Sequence, residues 1–176
     1  LAREICEHHN LKQFDAALIA CRRYATKSKD KVTHERKIRA LIRAARLRMV
    51  NKILVAIIEK PKEIDRLIDL QSRERKLGNE FQMVEGNAVF VLIANEDCEP
   101  RIREAARGKV KKISTGLALI TMQFDERLET THGVVSSVYG LLAEHGINVL
   151  EEMSCWTDLL MVLKEEDAAK TMRLLR

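Results

Sequence analysis

The side chains that could do covalent or metal chemistry are few and poorly spaced for it. Cys6, His8 and His9 stand close together, yet successive side chains on a helix point about 100° apart and no fourth ligand is near in sequence, so a tetrahedral metal site is not specified. The adjacent acids Glu151 and Glu152 point to opposite faces of a strand and cannot serve one substrate as an acid–base pair. Neither G-x-x-x-x-G-K-[ST] nor G-x-G-x-x-G occurs, so no phosphate-cradling loop is announced. Cys155 and Trp156 fall between two strand-like runs, where the tryptophan is expected to cover core at a hairpin. No catalytic constellation, cofactor or metal is therefore expected, and the remaining chemistry is recognition.

That recognition begins with charge. The 176 residues carry a net charge of +5, but residues 1–50 hold thirteen Lys and Arg against five Asp and Glu, while residues 51–176 hold eighteen against twenty-one. The first part is thus at +8 and the rest at −3. Such asymmetry accompanies either a polyanion contact or a solvated basic face. The basic part reads as helices over 2–9 and 14–26, joined by Asn10-Leu11-Lys12-Gln13, in a helix-turn-helix outline. A polar connection at Lys27–Lys31 follows, then a third helix capped by Thr33, with Ile38, Leu41, Ile42 and Ala45 at i, i+3, i+4 and i+7. Were this unit to read DNA, the helix from Phe14 would enter the major groove with Lys12, Arg22 and Arg23 near phosphates. Ala16, Ile19 and Ala20 stand where base-reading side chains would be needed, so a docking or oligomerising role is the alternative.

Composition sets the frame for both parts. With 46% hydrophobic and 32% charged residues, the chain is that of a soluble globular protein able to bury a core without staples. Cys6, Cys21, Cys98 and Cys155 form no C-x-x-C pair, which predicts free thiols in a reducing cytosol. Leu1 opens the chain inside a helical pattern, and a preceding segment is expected.

From residue 51 a βαββα order occurs twice. The first pass has strand Ile53–Ile58, a helix opened by Pro61 with Ile64, Leu67 and Ile68 on one face, strands Phe81–Val84 and Ala88–Ala94 about a Gly86-Asn87 turn, and a helix from Glu99 with Pro100 in its first turn. The second has strand Leu117–Phe124, a helix from Gly133 to His145 with Gly146 at C′, strands Ile147–Met153 and Leu159–Leu163, and helix Asp167–Leu175. Val110–Ile113 offers a fourth strand to the first pass; the second either borrows one or lacks it. The expected organisation is α+β: a helical unit 1–48, then two ferredoxin-like units, 49–115 and 116–176.

Gly133-Val134-Val135, the run Gly140-Leu141-Leu142-Ala143-Glu144-His145-Gly146-Ile147-Asn148-Val149, Asp158-Leu159-Leu160-Met161-Val162 and Glu166-Asp167-Ala168-Ala169 resemble the ACT domain, the βαββαβ regulatory module of aspartokinases and other enzymes of amino-acid metabolism. The first unit shares only the layout. A basic helical front followed by paired ACT-like units is similar to microbial regulators of amino-acid metabolism. The resemblance implies a non-enzymatic sensor of a small ligand, an amino acid, that pairs as a homodimer or higher homo-oligomer through its ACT units. Its output is either DNA, through the basic unit, or a biosynthetic enzyme bound as a regulatory subunit.

The same resemblance implies a ligand site lined by Thr131, His132, Gly133, Val134 and Val135 at the start of a helix, with Ile147 and Asn148 opening the next strand. Free N–H groups and the positive dipole end suit a carboxylate there, and Gly133 either admits the ligand to the backbone or is a turn glycine. Where the family has Pro-Gly, this chain has His132-Gly133, after an extended acidic loop, Asp125–Thr131. That loop either disables the site or is a lid whose Arg127 reaches the ligand carboxylate.

Overall fold

Two fourteen-residue strands with nearly the same burial pattern organise the molecule: β1, Arg46–Glu59, and β4, Val110–Gln123. In each, four consecutive residues are buried, Ile53–Ala56 and Leu117–Ile120, because helices cover one face of the sheet and its own apolar residues the other. Just before each run the backbone turns left-handed, at Lys52 (φ 56°) and Gly116 (φ 69°). Gly116 adopts this freely, whereas Lys52 is an uncommon occupant. The pairing register breaks at the same place, between Val50 and Ile53, as a bulge that bends and twists both strands.

The computed structural model describes residues 2–9, 14–60 and 64–176, with the backbone alone for 2 and 25–30. The other elements are α1 (Ala2–His8), α2 (Phe14–Ala44), α3 (Asp65–Lys76), β2 (Phe81–Glu85), β3 (Val89–Asn95), α4 (Glu99–Ala106), α5 (Val134–Glu144), β5 (Val149–Cys155), β6 (Asp158–Lys164) and α6 (Glu165–Leu174). All six strands join one antiparallel sheet in the order β2-β3-β1-β4-β6-β5.

The bend makes β1 and β4 serve both halves. Val55–Ile58 pair with Val110–Ser114 beside β3, while Arg46–Val50 pair with Leu119–Gln123 beside β6. The second βαββα pass therefore takes its missing strand from residues ahead of the first pass. The expected boundaries at 48/49 and 115/116 fall inside these strands, so the two passes share strands.

Each half has a helix-covered core. Leu54, Ala56, Ile58, Leu67, Phe81, Leu92 and Ile102 pack under α3 and α4, and Ala118, Ile120, Met122, Val138, Leu142 and Met161 under α5 and α6. Ile53, Val55, Ile93, Leu117, Leu119 and Val162 form a third cluster on the other sheet face. Among the described residues no helix is long and apolar enough to cross a membrane, and all four cysteines are free thiols.

The helical front differs from the expected outline. Residues 27–31, expected to be a connection, continue the 31-residue α2, and Thr33 is interior to that helix instead of capping a new one. The physical reason is that Lys27-Ser28-Lys29-Asp30-Lys31 contains no Gly or Pro, and lysine is a good helix former. The stripe Ile38, Leu41, Ile42 and Ala45 packs into the second core, Ile38 and Leu41 being buried.

Glu74, on α3, is fully buried. Arg101 donates to it through Nε at 2.7 Å and Nη2 at 3.1 Å, Asn79 through Nδ2 at 2.7 Å, and the Cys98 thiol at 3.4 Å. Burial pushes the carboxyl up, but the bonds from Arg101, Asn79 and Cys98 outweigh it and leave Glu74 below the ordinary carboxylate range. Burial, and then the Glu74 carboxylate, push the Cys98 thiol up to about 12.

Candidate functional site

The second half builds its candidate site on the link from β4 to α5. The Phe124 N–H donates to the Thr157 carbonyl at 2.9 Å, fixing the end of β4 to the β5–β6 hairpin. Asp125 then caps a 3₁₀ turn, Glu126–Leu128, by accepting from the Arg127 N–H at 2.9 Å. Its carboxylate also takes both arms of the Arg127 guanidinium, at 2.9 and 2.5 Å. Arg127 is therefore turned back on its own loop. The side-chain and backbone hydrogen bonds from Arg127 hold the Asp125 carboxyl at about 2. Arg127→Ala, which removes the guanidinium but keeps the residue-127 N–H, should raise it part of the way toward the ordinary aspartate range near pH 4, read by following the Asp125 side-chain carboxyl resonance in an NMR titration. Because the folded pKa is depressed, this pair stabilises above the unfolded-state pKa and loses that effect as pH falls through about 2.

Gly133 is the N-cap of α5, with φ 86° and no side-chain cap. The Ser137 N–H donates to its carbonyl at 2.9 Å and the Ser137 hydroxyl at 2.8 Å. Val134 is buried, Thr131 and Val135 are half-buried, and His132 and Gly133 are exposed. These five residues are consecutive and do gather at one helix end. Ile147 and Asn148 do not join them. Ile147 is buried and its N–H donates to the Leu142 carbonyl at 3.0 Å, at the far end of α5 beyond Gly146 (φ 71°). The eleven residues of α5 put the two groups about 16 Å apart, too far for one amino acid to touch both within this half.

A contributor invisible in the local sequence is α2. The His34 ring stacks on that of His132, centroids 3.9 Å apart, and its Nε2–H donates to the His132 carbonyl at 3.0 Å. One turn on, Ile38 Cδ1 lies 3.4 Å from where a Cβ on Gly133 would be. The start of α5 is thus roofed by the end of α2. The only sequence signal was the apolar stripe from Ile38 to Ala45, which shows that this face is buried but not against what.

Arg22 and Arg23 lie exposed on the first half of α2, and Lys12 lies outside the described residues. Arg23 borders a shallow depression with Ala16, Ile19, Ala20 and Tyr24. The tyrosine is 75% exposed and Ile19 50%, so the surface around these arginines is apolar as well as basic. Trp156, expected to cover core, is instead 64% exposed at a left-handed hairpin position (φ 52°). With β5 and β6 already paired in register up to Cys155 and Asp158, the two-residue turn carries the ring out beside Phe124 and Arg127. On β5, Glu152 accepts from the Tyr139 hydroxyl at 3.0 Å, tying α5 to the sheet, and burial raises Glu151 above the ordinary carboxylate range.

No protein-family profile matches the sequence, and no curated protein matches it. Solved structures do. The regulatory subunit of aspartate kinase from Thermus thermophilus, in its ligand-free form, superimposes with a TM-score of 0.56 at 12% identity, over 75% of this chain and 94% of that one. The aspartate kinase of Clostridium acetobutylicum gives 0.60 at 16% identity, over 73% of this chain and 33% of that one. The aspartokinase III of E. coli, solved with aspartate and ADP, gives 0.55 at 14%, over 73% and 32%. The chain therefore spans about a third of the length of the two whole kinases and nearly all of the regulatory subunit. At such identities the likeness speaks for the fold, and that fold is the α+β, ACT-like arrangement of aspartate kinase regulatory regions.

Proposed function

We propose that this chain is a non-enzymatic regulatory module of amino-acid metabolism in which two ACT-like units on one sheet bind an amino acid and report its presence through the α1–α2 arm. The observation that carries the reading is the placement of α2. Ile38 and Leu41 in its last turns are buried against α5, at the candidate ligand end, while Phe14, Ile19, Arg22, Arg23 and Tyr24 near its start are exposed. A ligand that prefers one arrangement of α2 over another shifts that equilibrium by its differential affinity, which is all that allosteric output requires. The strands shared by the two halves give a second route, since bending β1 or β4 in one half moves a strand of the other. Pairing with a second copy through the ACT-like units belongs to the same reading.

The arm's partner is best read as a protein, an enzyme of the regulated pathway. Ile19 and Tyr24 project between the basic residues, and exposed apolar side chains of this kind favour protein docking over phosphate contact. The DNA reading, resting on Lys12, Arg22 and Arg23, predicts duplex binding that falls steeply with salt. Absence of duplex binding at low salt removes it.

The sensor reading predicts that at least one of the twenty amino acids raises the melting temperature. A ligand at about 100 times its Kd adds about 2.7 kcal/mol. A flat thermal-shift panel overturns the reading.

A further inference from the structure

Beside the roofed start of α5, α2, α5 and the residues ending α6 border an open groove of about 690 Å³, within the range of roughly 300–1,000 Å³ typical of small-molecule sites. Its walls combine apolar Ile42 and Leu141 with Glu35, Arg39 and Arg43 of α2, Glu144 of α5 and Arg176 beyond the end of α6. Glu35, Arg39 and Arg43 recur at i, i+4 and i+8 and so share one face of α2. Among the described residues none of these five charged side chains has an ion pair. The groove therefore offers three guanidinium groups, two side-chain carboxylates and an apolar wall.

Gly140 is the second observation. It lies inside α5, lines the groove, has no positive φ, and a Cβ there would meet nothing within 4 Å. Glycine in a helix interior costs about 1 kcal/mol relative to alanine, and the usual structural reasons for accepting that cost, a left-handed backbone or a tight contact, are both missing. What remains is room, at the wall of a groove whose charges match a zwitterion.

We propose that the α2–α5 groove binds a free α-amino acid with an apolar side chain. Arg39 and Arg43 hold its carboxylate, Glu35 and Glu144 its ammonium, and the side chain lies in the space left by Gly140, against Leu141 and Ile42. The proposal rests on the sensor reading above and moves the ligand from the start of α5 into the groove. A ligand there touches both helices at once, so its binding free energy directly favours the docked position of α2.

The test is titration calorimetry on the full chain with L-valine, L-leucine, L-isoleucine, L-methionine and L-phenylalanine, repeated for Gly140→Leu, Arg43→Gln and Thr131→Ala. Gly140→Leu should melt no lower than the parent without ligand, because it exchanges a poor helix former for a good one into open space. Both groove variants should bind at least about tenfold more weakly, through lost volume in one and a lost charge-assisted bond in the other. Thr131→Ala should bind like the parent. Binding kept in both groove variants but lost in Thr131→Ala places the ligand at the start of α5 and overturns the groove site while leaving the sensor reading intact. If the parent binds none of these five, the groove site is overturned; if the thermal-shift panel of all twenty is flat as well, the sensor reading fails with it.

Discussion

Arg101→Ala is expected to destabilise the protein by about 3–5 kcal/mol at pH 7, the usual cost of stripping one partner from a buried charge pair. Glu74 has no exposed surface while Arg101 covers it, so in the variant it keeps only Asn79 and Cys98 as protein donors and whatever water enters the space left by the third-exposed arginine. Its alternative is to bind a proton. In the unfolded chain a glutamate titrates near 4.3, so holding it protonated at pH 7 costs about 2.7 units at 1.36 kcal/mol each, which caps that part of the penalty near 3.7 kcal/mol. At pH 5 the same cap falls to about 1 kcal/mol. The variant's deficit should therefore shrink as pH falls from 7 to 5. In the parent the folded pKa is depressed, so its contribution is complete above the unfolded value and is lost only as pH falls through the folded one. Urea unfolding at the two pH values checks this, and equal deficits at both would show that Glu74 takes up no proton when Arg101 is lost. Arg101→Lys, which keeps the charge but not the two-pronged bond, should fall between the two proteins.

Glu74 also marks the limit of what the sequence discloses. The expected inner face of α3 was Ile64, Leu67 and Ile68, yet Leu67, Leu70 and Glu74 are the buried residues and Ile68 is 45% exposed. Periodicity ranks a glutamate as outward because an unpaired buried carboxylate is prohibitive. The pairing that reverses this comes from a residue 27 positions away. Strands 53–58 and 117–124 were legible because apolar, β-branched runs have few other uses. Arg46–Val50 was not, because its basic residues belonged by charge to the helical part. Its Arg-Leu-Arg-Met-Val order is nonetheless period two, and only the partner strand Leu119–Gln123 turns that alternation into a sheet position. At the candidate site, Thr131–Val135 were found because they are contiguous, while the roof of His34 and Ile38 was not, because it lies 98 residues away in sequence from His132.

Gly133→Val should cost about 2–3 kcal/mol, the upper part of the range for forcing a non-glycine residue into the left-handed region, since a β-branched side chain is poorly tolerated there. Two mechanisms compete. One is backbone strain at φ 86°; the other is contact, because the new Cβ would stand 3.4 Å from Ile38 Cδ1. Gly133→Asn separates them: asparagine carries the same Cβ but tolerates the left-handed conformation. Strain predicts that Asn costs well under half as much as Val in urea unfolding, whereas contact predicts that the two cost the same. The 3.4 Å separation is near ordinary van der Waals contact, and the atom met is the mobile end of a side chain, so strain should dominate. The variants then differ in what they do to α2. Straining the N-cap shifts His132, and with it the ring stack and the bond from His34, so amide exchange over 34–42 should quicken in Gly133→Val and stay near the parent's rate in Gly133→Asn. Unchanged exchange in both would mean that the start of α5 and the end of α2 are not mechanically coupled, and that a signal from one to the other must run through the sheet.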